Sequence, residues 1–380
     1  MQVSVGKTEI LRELQLFQGI VERKNTIPIL GNILIKAEES KSEINIFATD
    51  LEVGLRSRCV AEVSKGGALT LPAKKIFEIV RALPETKISI TETAKGSVTI
   101  AADRFNSRIQ TLPKEDFPAL PEPTGTGTVS IPSGSLREMV AKTQFAVTGE
   151  DTRYFLNGAL LILSRDSMSL VATDGHRLAL ASVDRGDVEE KDKTPSEENG
   201  EEQRVILPKK TLWELARLLT DGESTTMYER GENHLFFDIE GRQLVSRVLD
   251  AQFPAYERVI PKGNNKRVEF ERDRFISAIK RVALLSSERS RAVKLKIEKG
   301  RVEITSSSPE VGEASEEIAV EYDEEQVEIC FNAQYLLDFL SVTDSDNVTL
   351  DFKDEMSQAV LSPLATEGCS YTYVIMPIRV

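Results

Sequence analysis

Apolar residues recur at helical spacing in three separated stretches: Ile10, Leu14, Phe17 and Val21; Leu136, Met139, Val140, Thr143 and Val147; and Phe275, Ile279 and Val282. Steps of three and four residues align such side chains along one side of an α-helix, so each stretch predicts an amphipathic helix with one buried face. Between them the pattern changes to alternation. Ile44-Asn45-Ile46-Phe47, Val98-Thr99-Ile100 and Val302-Glu303-Ile304-Thr305 place every second residue on the same side, as strands buried on one face do. The order helix, strands, helix, strands predicts an α+β chain of antiparallel sheet with helices on one face.

The pattern repeats. Phe47-Ala48-Thr49-Asp50 returns as Val171-Ala172-Thr173-Asp174, 124 positions later (Thr49 to Thr173). Leu71-Pro72-Ala73-Lys74-Lys75 through Leu83 returns as Leu207-Pro208-Lys209-Lys210 through Leu219, and Asp116-Phe117-Pro118-Ala119 as Gln252-Phe253-Pro254-Ala255, both 136 positions later (Leu71 to Leu207, Phe117 to Phe253). A third, fainter repeat matches Phe331-Asn332-Ala333-Gln334-Tyr335 through Leu340 to Leu207 through Ala216 and lacks the Thr-Asp pair. Three copies of one unit imply a repeat architecture rather than three unrelated domains, and 380 residues, 40% of them apolar, suffice for two or three cores.

The offset grows by 12 between the first two landmarks, across the segment from Asp184 to Gln203. That segment holds nine acids (Asp184, Asp187, Glu189, Glu190, Asp192, Glu197, Glu198, Glu201, Glu202) against Arg185, Lys191 and Lys193, and so supplies -6 of the net charge of -13. It has no apolar periodicity and reads as a solvated insertion, 184–203. An acidic chain repels polyanions, yet Lys74, Lys75 and Arg81, repeated as Lys209, Lys210 and Arg217, decorate the second helix of two repeats. Arg137 and Arg274 lie on exposed faces of first helices. If these faces meet, they form a positive lining in a negative body.

Catalytic chemistry is missing. No phosphate-binding Gly-x-x-x-x-Gly-Lys loop, Gly-x-Ser-x-Gly elbow or His-Glu-x-x-His helix occurs. Cys59, Cys330 and Cys369 are too far apart to form a metal site with His176 or His234, and read as buried thiols. Neither a metal nor a cofactor is expected. His176 next to Asp174 permits a rival reading, a hydrolase, but the matching Asp50 has no histidine, which favours a structural turn aspartate. The N-terminal residues lack the features of a signal peptide and no apolar run spans a bilayer, so a cytoplasmic location is expected.

Several motifs together resemble one family along the whole chain: Thr26-Ile27-Pro28-Ile29-Leu30, Ala48-Thr49-Asp50-Leu51-Glu52, Arg153-Tyr154-Phe155-Leu156-Asn157-Gly158, Ala172-Thr173-Asp174-Gly175-His176-Arg177-Leu178, Phe253-Pro254 and Tyr373-Val374-Ile375-Met376-Pro377-Ile378-Arg379-Val380. The chain is similar to the bacterial DNA polymerase III β subunits, the sliding clamps. The resemblance implies three clamp domains, 1–124, 125–262 and 263–380, and a head-to-tail homodimer closing a ring around duplex DNA, with helices lining the hole. It implies a non-catalytic processivity factor, whose DNA-facing set here is Lys24, Arg137, Tyr154, Phe155 and Lys210.

A pocket for short peptide motifs of the polymerase catalytic subunit, the clamp loader, other polymerases and repair proteins is also implied. Its lining would be Arg153, Leu156, Thr173, Gly175, His176, Arg177, Leu178, Pro254, Arg258, Val259, Val374, Ile375, Met376, Pro377, Ile378, Arg379 and Val380. Ile378 and Val380 depart from the Met and Leu common in the family. For the dimer contact the apolar pair Leu284-Leu285 is expected, in competition with a core role for the same pair.

Overall fold

Proline ends a strand and precedes a helix at the same point of repeats one and two. In the computed structural model, which describes residues 1–21, 26–94, 96–149, 151–185, 202–220, 222–366 and 368–379, Gly67–Pro72 runs into helix Ala73–Ala82 and Gln203–Pro208 into helix Lys209–Leu218. Proline is well tolerated at a helix start, where the first amides have no intrahelical partner. Repeat three has Asn332 instead, and its side-chain oxygen accepts a 2.9 Å hydrogen bond from the Gln334 amide, capping helix Ala333–Ser341. The faint repeat keeps the element by different chemistry.

The described helices are α1 (Lys7–Ile20), α2 (Ala73–Ala82), α3 (Ser133–Thr143), α4 (Lys209–Leu218), α5 (Arg272–Ala283) and α6 (Ala333–Ser341). Helix α1 buries Ile10, Leu14 and Phe17, and α5 buries Phe275, Ile279 and Val282 at the same helical positions. Full burial of each such side chain is worth about 1.5–3 kcal/mol. Two expected helical valines fall outside. Val21 is extended at the cap of α1, and a 3-10 turn, Gln144–Ala146, separates Val147 from α3, in keeping with the preference of β-branched residues for extended backbone.

Every pairing between described strands is antiparallel. One sheet of eight runs β10 (Val129–Pro132), β15 (Thr225–Arg230), β16 (His234–Ile239), β17 (Arg242–Arg247), β4 (Val53–Val60), β3 (Glu43–Thr49), β2 (Asn32–Ala37), β6 (Gly67–Pro72). The other runs β18 (Lys266–Glu271), β23 (Asn347–Phe352), β24 (Ala359–Pro363), β25 (Cys369–Ile375), β13 (Arg177–Asp184), β12 (Ser167–Thr173), β11 (Gly158–Leu163), β14 (Gln203–Pro208). The order is the same in both: four strands from one repeat, then four from the repeat before it.

The remaining strands form two open sheets. Repeat one leaves β9 (Phe105–Gln110), β8 (Ser97–Ala102), β7 (Lys87–Ala94), β1 (Gln2–Gly6) and β5 (Glu62–Lys65), and repeat three leaves β21 (Gly312–Ala319), β20 (Arg301–Ser308), β19 (Ala292–Glu298) and β22 (Val327–Asn332). In strand order each corresponds to one half of an eight-stranded sheet. Their edges β9 and β21 correspond to the strands that meet as β17 and β4, and as β25 and β13.

Because the large sheets join neighbouring repeats, the two compact units do not coincide with the three repeats. Among the described residues, unit one holds those within 1–136 and 213–248, and unit two those within 137–185, 202–212 and 249–379. In unit one, Glu13 of α1 is buried where β4 meets β17. Its carboxylate takes two hydrogen bonds from Arg242, at 2.6 and 2.9 Å, and one from the Ser57 hydroxyl. Burial opposes its charge, but the bonds from Arg242 and Ser57 outweigh this and hold its pKa below the ordinary value. The acidic insertion lies between β13, which ends at Asp184, and β14, which begins at Gln203; 186–201 fall outside the described residues.

Candidate functional site

The Thr-Asp landmark is a tight turn built identically in two repeats. The Thr173 hydroxyl accepts from the Gly175 amide at 3.1 Å, and Asp174 Oδ1 accepts from the His176 and Arg177 amides at 2.9 and 3.0 Å. In repeat one Thr49 accepts from Leu51 at 2.9 Å, and Asp50 Oδ1 from Glu52 and Val53 at 2.9 and 2.7 Å. The turn requires a left-handed residue at its third position, with φ of +87° at Gly175 and +80° at Leu51. Asp174 thus binds the backbone amide of His176, and its other oxygen receives Arg177 Nε at 3.0 Å. The same turn forms around Asp50 without a histidine, and the carboxylate holds the loop in both cases.

Arg177 is held by partners distant in the sequence. Its side chain is 8% exposed and turns inward, bonding Asp338 at 2.5 Å and the Phe145 carbonyl at 2.7 Å, with the guanidinium 4.3 Å from the Tyr335 ring centre. Burial works against its charge, but the Tyr373 hydroxyl and the Asp338 and Asp174 carboxylates overcome this and hold its pKa above the ordinary value. It therefore ties the turn to α6 and β25. The spacing of the motif could not reveal this, because Asp338 and Tyr373 are more than 150 residues away in sequence.

Beside the turn lies an apolar cluster of Leu160, Ile162, Val171, Leu178, Ile206, Tyr256 and Val374, against which Phe155, Leu180, Leu249, Phe253, Ile260 and Val360 pack half-buried. Of the expected pocket residues, Leu178 and Val374 form this floor as cross-strand partners between β13 and β25, with Leu156 buried nearby in sequence. Pro254, Arg258 and Val259 are exposed around the 3-10 turn Tyr256–Arg258. Arg153 is exposed and held by Asp151 at 2.8 and 3.0 Å, its guanidinium lying over Gly175. These bonds bring the Asp151 pKa down to about 2.

The C-terminal tail is anchored by the Met376 amide on the His176 carbonyl at 2.9 Å and by the Ile378 amide on the Cys330 carbonyl at 2.8 Å. The second bond takes Ile378 and Arg379 to edge strand β22, where they line a separate recess with Lys294, Glu303 and Met356. Met376 and Pro377 are half-buried, while Ile375 is fully buried and offers a ligand no surface. Val380 lies outside the described residues. Sequence reasoning missed Leu160, Ile162, Ile206 and Tyr256; the unbroken apolar run of β11, all six residues buried, marks Leu160 and Ile162 as buried strand residues but not as part of a site.

The expected DNA-facing residues separate. Tyr154 is 73% exposed, Arg137 exposed and Lys210 half-exposed, whereas Phe155 packs against the apolar cluster; Lys24 lies outside the described residues. Part of the basic decoration is neutralised: Lys74 and Lys75 both approach Glu78, Arg217 binds Glu214 and the Gln15 carbonyl, and Arg281 binds Glu316. Leu284 is 78% exposed at the end of α5 and Leu285 half-buried, so Leu284 is not a core residue of this chain. Cys59 and Cys369 are buried, and burial pushes their thiols up to about 12 and about 11. Contrary to expectation Cys330 is only half-buried, its strand being an edge.

Models of the DNA polymerase III beta subunit match the chain in sequence, the N-terminal domain at residues 1–121, the central domain at 130–255 and the C-terminal domain at 257–379. The chain belongs to this family. The Beta sliding clamp of Pseudomonas putida is 36% identical over 380 residues and that of Pseudomonas aeruginosa 35%, each comparison covering all of both chains. A solved DnaN sliding clamp from Pseudomonas aeruginosa, bound to griselimycin, superposes with a TM-score of 0.90 at 36% identity, and one from Caulobacter crescentus with 0.87 at 34%, again over both full chains. The sliding-clamp family sets the function: a DNA sliding clamp, a non-catalytic processivity factor of DNA polymerase III. The hydrolase reading has no support. Among the described residues, no helix is long and apolar enough to cross a membrane.

Proposed function

We propose that the chain forms three clamp domains, 1–124, 125–262 and 263–380, and closes head to tail with a second chain by joining edge β9 of one to edge β21 of the other. The observation that carries this is the shared strand order of the two complete sheets, which leaves one half-sheet open in each unit. An unpaired edge is a template for another strand, and head-to-tail contacts that close give a ring. Leu284, the residue that follows α5, corresponds to Gly19 near the end of α1, which is pressed against Glu214 and Arg217 of α4. The exposed leucine therefore meets α2 of the second chain. Leu284→Asp should weaken dimerisation by about 2–4 kcal/mol, the usual scale for a central apolar contact, as measured by light scattering; an unchanged dimer would refute the edge assignment.

Within that ring, Arg137, Tyr154 and Lys210 face duplex DNA. Phosphate contacts are sequence-independent and individually weak, so they permit sliding while the closed ring supplies retention. The apolar cluster, rimmed by Arg153, His176, Pro254, Arg258 and Met376, takes short apolar peptides of polymerase, clamp-loader and repair proteins, consistent with how grooves of apolar floor and polar rim hold peptides. The protein acts in the cytoplasm with the replication machinery. It should stay on nicked circular DNA and leave after linearisation; retention on linear DNA with free ends would overturn the ring.

A further inference from the structure

The sheet that joins repeats one and two carries the counterpart of the peptide-site floor, and there it borders a cavity of about 620 Å³. Strand register fixes the correspondence. Leu34 pairs with Phe47 and Thr70 as Leu160 pairs with Val171 and Ile206. Phe117 and Leu120 stand where Phe253 and Tyr256 stand, and Leu34 and Phe117 share a buried cluster with Ile29 and Leu30. Three floor positions change character: Thr70 stands for Ile206, Lys36 for Ile162, and Gly54 pairs with Val245 where Leu178 pairs with Val374. With no side chain at Gly54, the methyl end of Leu120 folds over it.

The rim is cationic. Lys36, Lys41, Arg56 and Lys114 line the cavity against Glu38 and Glu122. Lys41 pairs with Glu38 at 2.9 Å and Arg56 with Glu122 at 3.1 Å, whereas no carboxylate among the described residues lies within ion-pair distance of Lys36 or Lys114. Arg56 Nε is buried without a hydrogen-bond partner. The Lys36 ammonium and the Arg56 guanidinium both lie over the Phe47 ring, 5.0 and 5.3 Å from its centre.

We propose that this groove is a second peptide-docking site, taking an extended segment with bulky apolar side chains beside Asp or Glu. Its volume lies within the range of about 300–1,000 Å³ usual for ligand pockets. Charge complementarity selects the occupant: a wholly apolar segment would desolvate Lys36, Lys114 and Arg56 Nε without pairing them. A nucleic-acid base gains little here, because the Phe47 ring it would stack on is already covered by two cations.

The test is photo-cross-linking of the full-length protein with a benzophenone-labelled peptide Glu-Asp-Leu-Leu-Phe-Glu, the attachment sites being mapped by mass spectrometry. Attachment within 34–56 and 114–122, reduced about tenfold in Lys36→Glu/Lys114→Glu, supports the site; both side chains are exposed, so the core is spared. Attachment confined to 153–180 and 249–260, insensitivity to the charge reversal, equal labelling by a peptide with the acids replaced by Ser, or preferential labelling by a bromodeoxyuridine single strand would each overturn it. The first of these outcomes would leave the unit-two peptide site standing and remove only this one.

Discussion

Replacing Arg177 with methionine tests whether the inward turn of this side chain organises the peptide-site scaffold. The substitution removes ion pairs to Asp174 at 3.0 Å and Asp338 at 2.5 Å, a bond to the Phe145 carbonyl at 2.7 Å and the stacking on the Tyr335 ring. The side chains of Arg177, Asp174 and Asp338 are 8, 15 and 21% exposed, so solvent screens the pairs little. Removing one partner of a buried ion pair costs about 3–5 kcal/mol. Taking about 4 kcal/mol, the transition of unit two should fall by roughly 8–16 °C at about 2–4 °C per kcal/mol for a unit of this size.

Calorimetry reads the transition, and hydrogen exchange of the amides shared by β13 and β25 shows whether the loss is local to the ladder that Arg177 starts. A double-mutant cycle with Asp338→Asn should give a coupling of about 1–3 kcal/mol. Arg177→Lys should recover little, since an ammonium lacks the planar fork that reaches two carboxylates and a carbonyl at once. A loss under about 1 kcal/mol for Arg177→Met, with exchange unchanged, would refute the reasoning.

Three further outcomes are expected. The Glu13 pKa is lowered in the folded chain, so its stabilisation is complete above the unfolded value of 4.5 and is lost as pH falls through the lower folded value; urea midpoints between pH 5 and pH 3 should fall steeply in wild type and less in Glu13→Gln. Gly175→Ala places a Cβ 3.2 Å from the Arg153 guanidinium on a left-handed backbone and should cost about 1–2 kcal/mol by denaturation, whereas Leu51→Gly at the equivalent turn should not destabilise. Arg137→Glu and Lys210→Glu should each lower the slope of log affinity against log salt for circular DNA by about 0.9 for every phosphate no longer neutralised, with dimerisation unaffected.

The helices, the alternating strands and the threefold repeat were legible in the amino-acid order alone, because each rests on local periodicity. Ile10, Leu14 and Phe17 line one helix face whatever lies beyond them, and Thr49-Asp50 and Thr173-Asp174 close their turns with amides two and three residues away. The floor of the peptide site was legible in part: Leu178 and Val374 belong to motifs characteristic of the family, while Leu160, Ile162 and Ile206 carry no mark separating them from any buried strand residue. The direction of the Arg177 side chain and the course of the tail at Ile378 were not legible, since each depends on a partner, Asp338 or the Cys330 carbonyl, brought near only by sheet pairing across repeats.

The same limit explains the architecture. Sequence by itself determined three similar units, since repetition is a property of the chain. Tertiary structure decided that strands of one repeat complete the sheet of the previous one, that two half-sheets therefore remain at β9 and β21, and that Leu284 stands exposed at the end of α5. Backbone hydrogen bonds between strands are indifferent to side-chain identity, and the side chains that do mark the β4–β17 seam, Ser57 and Arg242 on Glu13, are 44 and 229 residues from it in the chain. In unit one α1 lies over that seam and joins it, through Glu13, to Ser57 of β4 and Arg242 of β17.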